Sequence, residues 1–204
     1  MPSTRVLLAD DHALFRRGLA SLLAAEGGFE VVGEAVDGQR ALEMARALMP
    51  DVILMDVSMP VMDGLEATRR IKAEMPHARI VILTVSDGES CLFEAIRCGA
   101  EGYLPKRIDP QALYATLRGV ARGEASVSRM MATRLLQGFA RRARQPAPAS
   151  ARAAVLTARE KEVLEHVARG SSNEEIAAAL AIAETAVKGH LKTILDSLHH
   201  ENRA

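Results

Sequence analysis

Polar side chains that could do chemistry stand at the ends of four short apolar runs in the first half of the chain. They are Asp10 with Asp11, then Asp56, Thr84 and Lys106. Three carboxylates that lie close together repel one another strongly, and a bound hard cation usually offsets this repulsion. Mg²⁺ suits a site with few carboxylates and several waters. If the fold brings these side chains together, their types predict a magnesium site.

The elements needed to position them follow from the alternation of apolar runs with amphipathic stretches. We expect strands at Val6–Ala9, Glu30–Glu34, Val52–Met55, Ile80–Leu83 and Gly102–Leu104. We expect helices over about 13–25, 38–48, 64–74, 88–98 and 109–121. Five such units predict an α/β fold with a parallel sheet covered by helices on both faces. Because the carboxyl ends of the strands in such a sheet line one crevice, the polar groups should converge there.

Composition excludes several other classes of protein. The chain has 204 residues, of which 49% are hydrophobic and 25% charged, as in an ordinary globular protein, so wholesale disorder is excluded. The apolar runs are far too short to span a bilayer, so we expect no membrane contact. Only two cysteines, Cys91 and Cys98, are present, which predicts no disulfide framework and a reducing, cytoplasmic location.

Charge and composition divide the chain into three parts. The 26 basic and 26 acidic residues balance overall, but residues 125–150 carry five arginines and no acidic group. An apolar stripe predicts a helix over 126–142, and Pro and Ala dominate the stretch that follows it. We therefore expect a domain at 1–124, a linker helix and Pro/Ala-rich tether at 125–151, and a small all-α domain at 152–204.

The last part has the pattern of a helix-turn-helix. Thr157 to Glu160 and Ser172 to Glu175 are capping boxes, and a third helix is predicted from Glu184 to about Leu198. Its apolar residues recur at helical spacing and should face the core. Another face carries Thr185, Lys188, Gly189 and Lys192. Short and basic groups on one helix face can enter the major groove of DNA.

The residues of the first part resemble those of a bacterial receiver domain. The resemblance rests on Asp10-Asp11, Asp56 with Met59-Pro60 and Asp63-Gly64, Leu83-Thr84, and Gly102-Tyr103-Leu104-Pro105-Lys106. It covers about 1–124 and implies a five-stranded, doubly wound, flavodoxin-like fold. It also implies Mg²⁺ dependence and phosphorylation of Asp56 by a cognate sensor histidine kinase.

The same resemblance implies a role for each side chain. Asp11 and Asp56 would bind the metal directly, together with the backbone carbonyl of Ser58, and Asp10 would act through water. Lys106 would pair with a phosphoryl oxygen. Thr84 would donate its hydroxyl to another phosphoryl oxygen, and Tyr103 would be the aromatic switch that responds to Thr84.

The last part resembles the LuxR-type helix-turn-helix. The resemblance rests on Leu156–Leu164, Gly170, Asn173–Ala177 and Val187–His190, and covers 155–204. With a receiver before it, the chain is similar to the NarL/FixJ family of transcription factors. That family implies binding of double-stranded promoter DNA by the helix at 184–198, as a homodimer formed on phosphorylation.

Departures from the family pattern leave an alternative open. Ala183 stands where Ser or Thr usually caps the recognition helix, which removes about 1 kcal/mol of capping. Ala186 replaces a usual threonine, and Gly189 offers no side chain. The sequence also stops at Ala204, before the fourth helix that the family normally has. A receiver with a degenerate or truncated output domain, acting through protein contacts or as a phosphate sink, is therefore the alternative function.

A third hypothesis is that the protein is an aspartyl-phosphate phosphatase. Haloacid dehalogenase-type phosphatases place a second aspartate two residues after the nucleophile, and here that position is Ser58. Without this acid the leaving group has no positioned proton donor. We therefore expect no enzyme activity beyond self-phosphotransfer and slow hydrolysis of the acyl phosphate.

Overall fold

A computed structural model of the chain describes residues 3–85, 89–124, 127–144 and 156–200. The first part is a five-stranded parallel sheet in the order β2-β1-β3-β4-β5. The strands are β1 Thr4–Ala9, β2 Phe29–Ala35, β3 Val52–Asp56, β4 Ile80–Thr84 and β5 Gly102–Pro105. The central strands β3 and β4 are buried along their whole length, which explains why they are apolar almost throughout. The predicted doubly wound α/β fold is confirmed.

Nine helices lie within the described residues. They are α1 Ala13–Glu26, α2 Gly38–Leu48, α3 Gly64–Glu74, α4 Glu89–Arg97, α5 Pro110–Ala121, α6 Arg129–Arg144, α7 Ala158–Arg169, α8 Asn173–Leu180 and α9 Glu184–His200. Asp37, Asp63 and Asp109 cap α2, α3 and α5 by accepting hydrogen bonds from backbone amides. Both predicted capping boxes, at α7 and α8, are present.

The helices cover the two faces of the sheet unequally. On one face, α1 and α5 pack on the sheet through Leu19, Leu23, Leu113 and Leu117. On the other face, α2, α3 and α4 enclose a second core. That second core does not stop at α4, because it continues without a break into α6, α7, α8 and α9. The two parts of the chain are therefore joined by shared apolar packing.

Helix α6 contacts helices of both parts of the chain. It packs along α7 and also contacts α4. Phe93 of α4 lies against α6, with its ring edge-to-face to Phe139 at 6.1 Å between centroids. Arg129 of α6 donates from Nε to the carbonyl of Ala168 at 2.9 Å and so satisfies the end of α7. The helix predicted at 126–142 is thus real, but it begins at Arg129 and is packed on both sides.

One predicted helix boundary needs correction, and two predicted segments fall outside the residues that the structure describes. The helix predicted over about 88–98 includes Cys98, whereas α4 ends at Arg97, so Cys98 lies just beyond it. The Pro/Ala-rich tether at 145–151 and the chain end at 201–204 lie outside the described residues.

Candidate functional site

The carboxyl edge of the sheet carries a compact cluster of opposite charges. Asp10 follows β1, Asp56 ends β3, and Lys106 follows β5. The Lys106 Nζ lies 2.8 Å from Oδ2 of Asp10 and 2.9 Å from Oδ2 of Asp56. Both aspartates are buried, at 1% and 3% exposure. The structure therefore brings together three of the side chains that the sequence singled out.

Burial and charge act against each other in this cluster. Burial raises the pKa of Asp56 above its ordinary value, the Lys106 ammonium opposes this, and the neighbouring Asp10 charge adds to it. Burial alone would lower the pKa of Lys106. Its hydrogen bonds to Asp10 and Asp56 outweigh that effect, so its pKa is raised. The lysine is therefore held as a cation between two carboxylates.

The turn after β1 provides oxygen atoms for a cation. Ligand atoms of Asp10, Asp11 and His12 all lie within 4.8 Å of one another. Asp11 is exposed, and the backbone amide of His12 donates to Oδ1 of Asp10 at 2.9 Å. The backbone amide of Ser58 hydrogen-bonds the Asp56 carboxylate. A set rich in carboxylate oxygen fits a hard divalent cation.

The loop after β3 approaches Asp56 too closely for any side chain at Gly64. A Cβ placed there would lie 1.9 Å from the carbonyl oxygen of Asp56. The Gly64 amide donates to the carbonyl of Val57 at 2.9 Å. A glycine therefore follows Asp63 in the sequence because α3 begins directly against the backbone of Asp56, where a side chain would clash.

Thr84 and Tyr103 meet beneath the charged cluster. Thr84 ends β4 and Tyr103 lies on β5, and both are buried. The Tyr103 side chain hydrogen-bonds those of Cys91 and Thr84. Burial and the contact with Cys91 raise the pKa of Tyr103 to about 12. The charge of Arg134 on α6 also acts on Tyr103, so this tyrosine connects the strand ends to α4 and α6.

A cleft of about 380 Å³ opens beside the cluster. It is lined by His12, Phe15, Thr84, Val85, Pro105, Lys106 and Arg107. The cleft therefore leads from solvent to Lys106 and Thr84. A group that reacts at Asp56 would find a cation and a hydroxyl on this side.

The predicted DNA-facing residues lie along one side of α9. Thr185, Gly189 and Lys192 are exposed, and the apolar residues of the helix, such as Val187 and Leu191, are buried. Lys188 forms two ion pairs. Its Nζ lies 3.1 Å from Glu184 and 3.3 Å from Glu124, which follows α5 at the end of the first part of the chain. Since α9 also packs against α4, the first part of the chain contacts the helix that carries this face.

Two family models match the chain. Residues 6–118 match the response regulator receiver domain, and residues 154–204 match the bacterial regulatory proteins of the luxR family. The nitrate/nitrite response regulator protein NarP of Escherichia coli K12 is 40% identical over 202 residues, covering 98% of this chain and 90% of that protein. The chain belongs to the response regulators that join a receiver domain to a LuxR-type DNA-binding domain.

Solved structures agree with this assignment. The response regulator ChrA of a heme-sensing two-component system is 33% identical, with a TM-score of 0.58 and coverage of 100% of this chain and 98% of that one. The receiver domain of the response regulator NarL from Mycobacterium tuberculosis is 34% identical, with a TM-score of 0.59 and coverage of 60% and 99%. This response regulator is a component of two-component transcription control and not a classical enzyme. The match over 154–204 gives the degenerate-output alternative no support.

Sequence reasoning missed three polar or aromatic contacts of this response regulator. Phe15 lies under the Lys106 ammonium, Arg16 binds the backbone of Asp10, and Glu124 binds Lys188. Phe15 and Arg16 follow His12 by three and four residues, so helical spacing could have placed them beside the cluster. The sequence has no comparable signal for Glu124, because its partner is 64 residues away. Among the described residues, none forms a helix with the length and apolarity that a membrane span requires.

Proposed function

We propose that Asp56 accepts a phosphoryl group from the phosphohistidine of a cognate sensor histidine kinase, and that this controls the binding of promoter DNA by α9. One observation carries the proposal: a buried carboxylate at a strand end shares a lysine with a second buried carboxylate. Such a constellation can receive a phosphoryl group and neutralise its charge. Because a regulator of transcription acts where the DNA is, we place it in the cytoplasm.

The metal that we propose is Mg²⁺, held directly by Asp11, Asp56 and the carbonyl of Ser58, with Asp10 acting through water. The oxygen donors of the turn after β1 support this choice. When bound, Mg²⁺ supplies positive charge to the phosphoryl oxygens during transfer.

The transfer itself and the binding of the phosphoryl oxygens are then the work of Asp56, Lys106 and Thr84. A carboxylate oxygen of Asp56 attacks phosphorus, the phosphorus–nitrogen bond of the donor breaks, and its electron pair returns to the imidazole. Lys106 leaves the carboxylates and pairs with one phosphoryl oxygen. Thr84 turns its hydroxyl to another and gives up its hydrogen bond to Tyr103. This proposed role of Tyr103 as the switch is supported by its contacts with α4 and the charge of Arg134 on α6.

The proposed output is release of α9. In the unphosphorylated protein, Lys188 is bound by Glu124 and α9 lies on α4. Phosphorylation would shift the population towards an open form that dimerises and reads promoter DNA through Thr185, Lys188, Gly189 and Lys192. The domain limits that we propose are 1–124 for the receiver, 125–151 for the linker helix and tether, and 152–204 for the DNA-binding domain.

The phosphoacceptor is tested by incubation with acetyl phosphate and Mg²⁺ followed by intact-mass measurement. The wild type should gain the mass of one phosphoryl group, and Asp56→Asn should gain none. A chelator should abolish the gain in the wild type. Modification retained by Asp56→Asn would assign the acceptor to another residue.

A further inference from the structure

The Lys106 ammonium has a third partner besides Asp10 and Asp56. Its Nζ lies 5.0 Å from the centroid of the Phe15 ring, in the geometry of a cation–π contact. Phe15 is half-buried and lines the cleft that leads to Lys106. The lysine is therefore held from two sides by carboxylates and from another by an aromatic ring.

These partners differ in what happens to them during the proposed reaction. Asp56 becomes an acyl phosphate, and Asp10 would help to hold the Mg²⁺ ion, so both carboxylates would release Lys106. The Phe15 ring carries no charge and undergoes no chemistry. Of the three partners, the ring alone is the same before and after transfer. It can therefore keep the ammonium over Asp56 while the carboxylates exchange for a phosphoryl oxygen.

Arg16, the residue after Phe15, links the first turn of α1 to the loop that carries Asp10. Arg16 donates from Nη1 to the carbonyl of Asp10 at 2.6 Å and from Nε to Glu34 at 2.8 Å. Its side chain is only 12% exposed. Since Phe15 and Arg16 are consecutive, the bond from Arg16 ties the helix turn that carries Phe15 to the backbone of Asp10. The ring is therefore presented to Lys106 from a turn that is anchored at the site.

We propose that Phe15 is a positioning residue for phosphoryl transfer, which acts by holding the Lys106 ammonium through its aromatic face. The inference rests on the proposed phosphorylation of Asp56. It predicts that the electron-rich ring matters, and not only the apolar volume at this position. Phe15 itself touches no reacting atom, so its effect must pass through Lys106.

The test compares Phe15→Leu with Phe15→Tyr in the full chain. Acetyl phosphate and Mg²⁺ supply the phosphoryl group, and intact mass gives the initial rate at several donor concentrations. Phe15→Leu should lower the saturated rate by between about twofold and thirtyfold, the range that such a contact supplies. Phe15→Tyr keeps the ring face and should react like the wild type.

A matched control removes an equivalent contact elsewhere in the receiver. Phe29 lies under Arg118, with 5.3 Å between the ring centroid and Cζ, and Phe29→Leu should leave the rate unchanged even if it lowers stability. A second control uses Lys106→Ala as the background. There Phe15→Leu should slow the remaining reaction no further, because no ammonium is left for the ring to hold.

The outcomes separate the inference from the function on which it rests. If the wild type acquires no phosphoryl group on Asp56, the proposed function fails and the inference fails with it. If the wild type reacts and Phe15→Leu is equally fast, the inference alone is overturned. It is also overturned if Phe15→Tyr is as slow as Phe15→Leu, or if Phe15→Leu still slows the Lys106→Ala protein.

Discussion

Asp56 is buried at the end of a central strand, where its negative charge is unfavourable despite the nearby lysine. Burial raises its pKa, and the charge of Asp10 adds to the effect, whereas Lys106 only partly offsets it. A folded-state pKa above the unfolded value means that the folded protein loses stability as the pH rises through that interval. At neutral pH the ionised carboxylate therefore destabilises the fold when no cation is bound.

We predict that Asp56→Asn raises the free energy of unfolding at neutral pH in the absence of Mg²⁺. The gain should disappear below the ordinary pKa of the carboxyl group, where the wild-type residue is protonated in both states. Mg²⁺ should stabilise the wild type and have little effect on the variant. Urea unfolding at several pH values measures both effects. A less stable variant at neutral pH would show that the ion pair with Lys106 outweighs burial.

Single residues differ in how far the sequence could place them. Asp10, Asp56 and Thr84 were located because a strand end in a parallel sheet has a known place. Helical spacing could place Phe15 near the cluster but not show that its ring contacts Lys106, because a phenylalanine on an amphipathic helix gives the same pattern when it contacts a core leucine.

Helix α6 meets the receiver at Gly138, where the absence of a side chain lets the Phe93 ring approach closely. A Cβ on Gly138 would lie 2.3 Å from Cε2 of Phe93 on α4. A helix interior normally disfavours glycine by about 1 kcal/mol relative to alanine. The close packing of Phe93 against α6 therefore depends on Gly138, a residue of low helix propensity.

We predict that Gly138→Ala loosens the contact between α4 and α6 while strengthening α6 as a helix. The unphosphorylated protein should show faster amide hydrogen exchange along α4 and several-fold tighter DNA binding. With Phe93→Ala present, Gly138→Ala should have little further effect, because the ring it displaces is gone.

The matched control is Gly18→Ala on α1, where a Cβ would meet nothing within 4 Å. It makes the same change in helix propensity without touching another element. Fully additive effects of Phe93→Ala and Gly138→Ala would show that the Phe93 ring and residue 138 do not interact.

The elements themselves were largely predictable, whereas the contacts between them were not. Short apolar runs located all five strands, and the spacing of capping residues located the capping boxes of α7 and α8. The apolar stripe of α6 indicated a buried face but could not say that α4 and α7 would share it, because a stripe specifies only that some partner exists.

The two parts of the chain contact each other through charged side chains as well as through apolar packing. Glu124, also bound by Arg122 at 3.1 Å, holds Lys188 of α9. Both side chains of this pair are about a third exposed, at 28% and 34%. An ion pair exposed to this extent contributes little to stability and weakens as the salt concentration rises. It can bias the closed form but cannot alone maintain it.

We predict that Glu124→Gln raises the DNA affinity of the unphosphorylated protein by roughly two- to fivefold, and that the gain shrinks as salt increases. Titration of labelled promoter DNA at two salt concentrations measures it. Glu26→Gln, which breaks the pair with Arg118 inside the receiver, is the control and should change nothing. An unchanged affinity for Glu124→Gln would exclude this ion pair from control of DNA binding.

Phosphorylation of the receiver should switch on DNA binding by α9. A selection of genomic DNA fragments by the full chain, with acetyl phosphate and Mg²⁺ or with neither, tests this directly. We predict enrichment of a shared inverted motif only in the phosphorylated sample, and its loss in Lys188→Ala/Lys192→Ala. Equal enrichment without phosphorylation, or no enrichment despite confirmed phosphorylation, would contradict it.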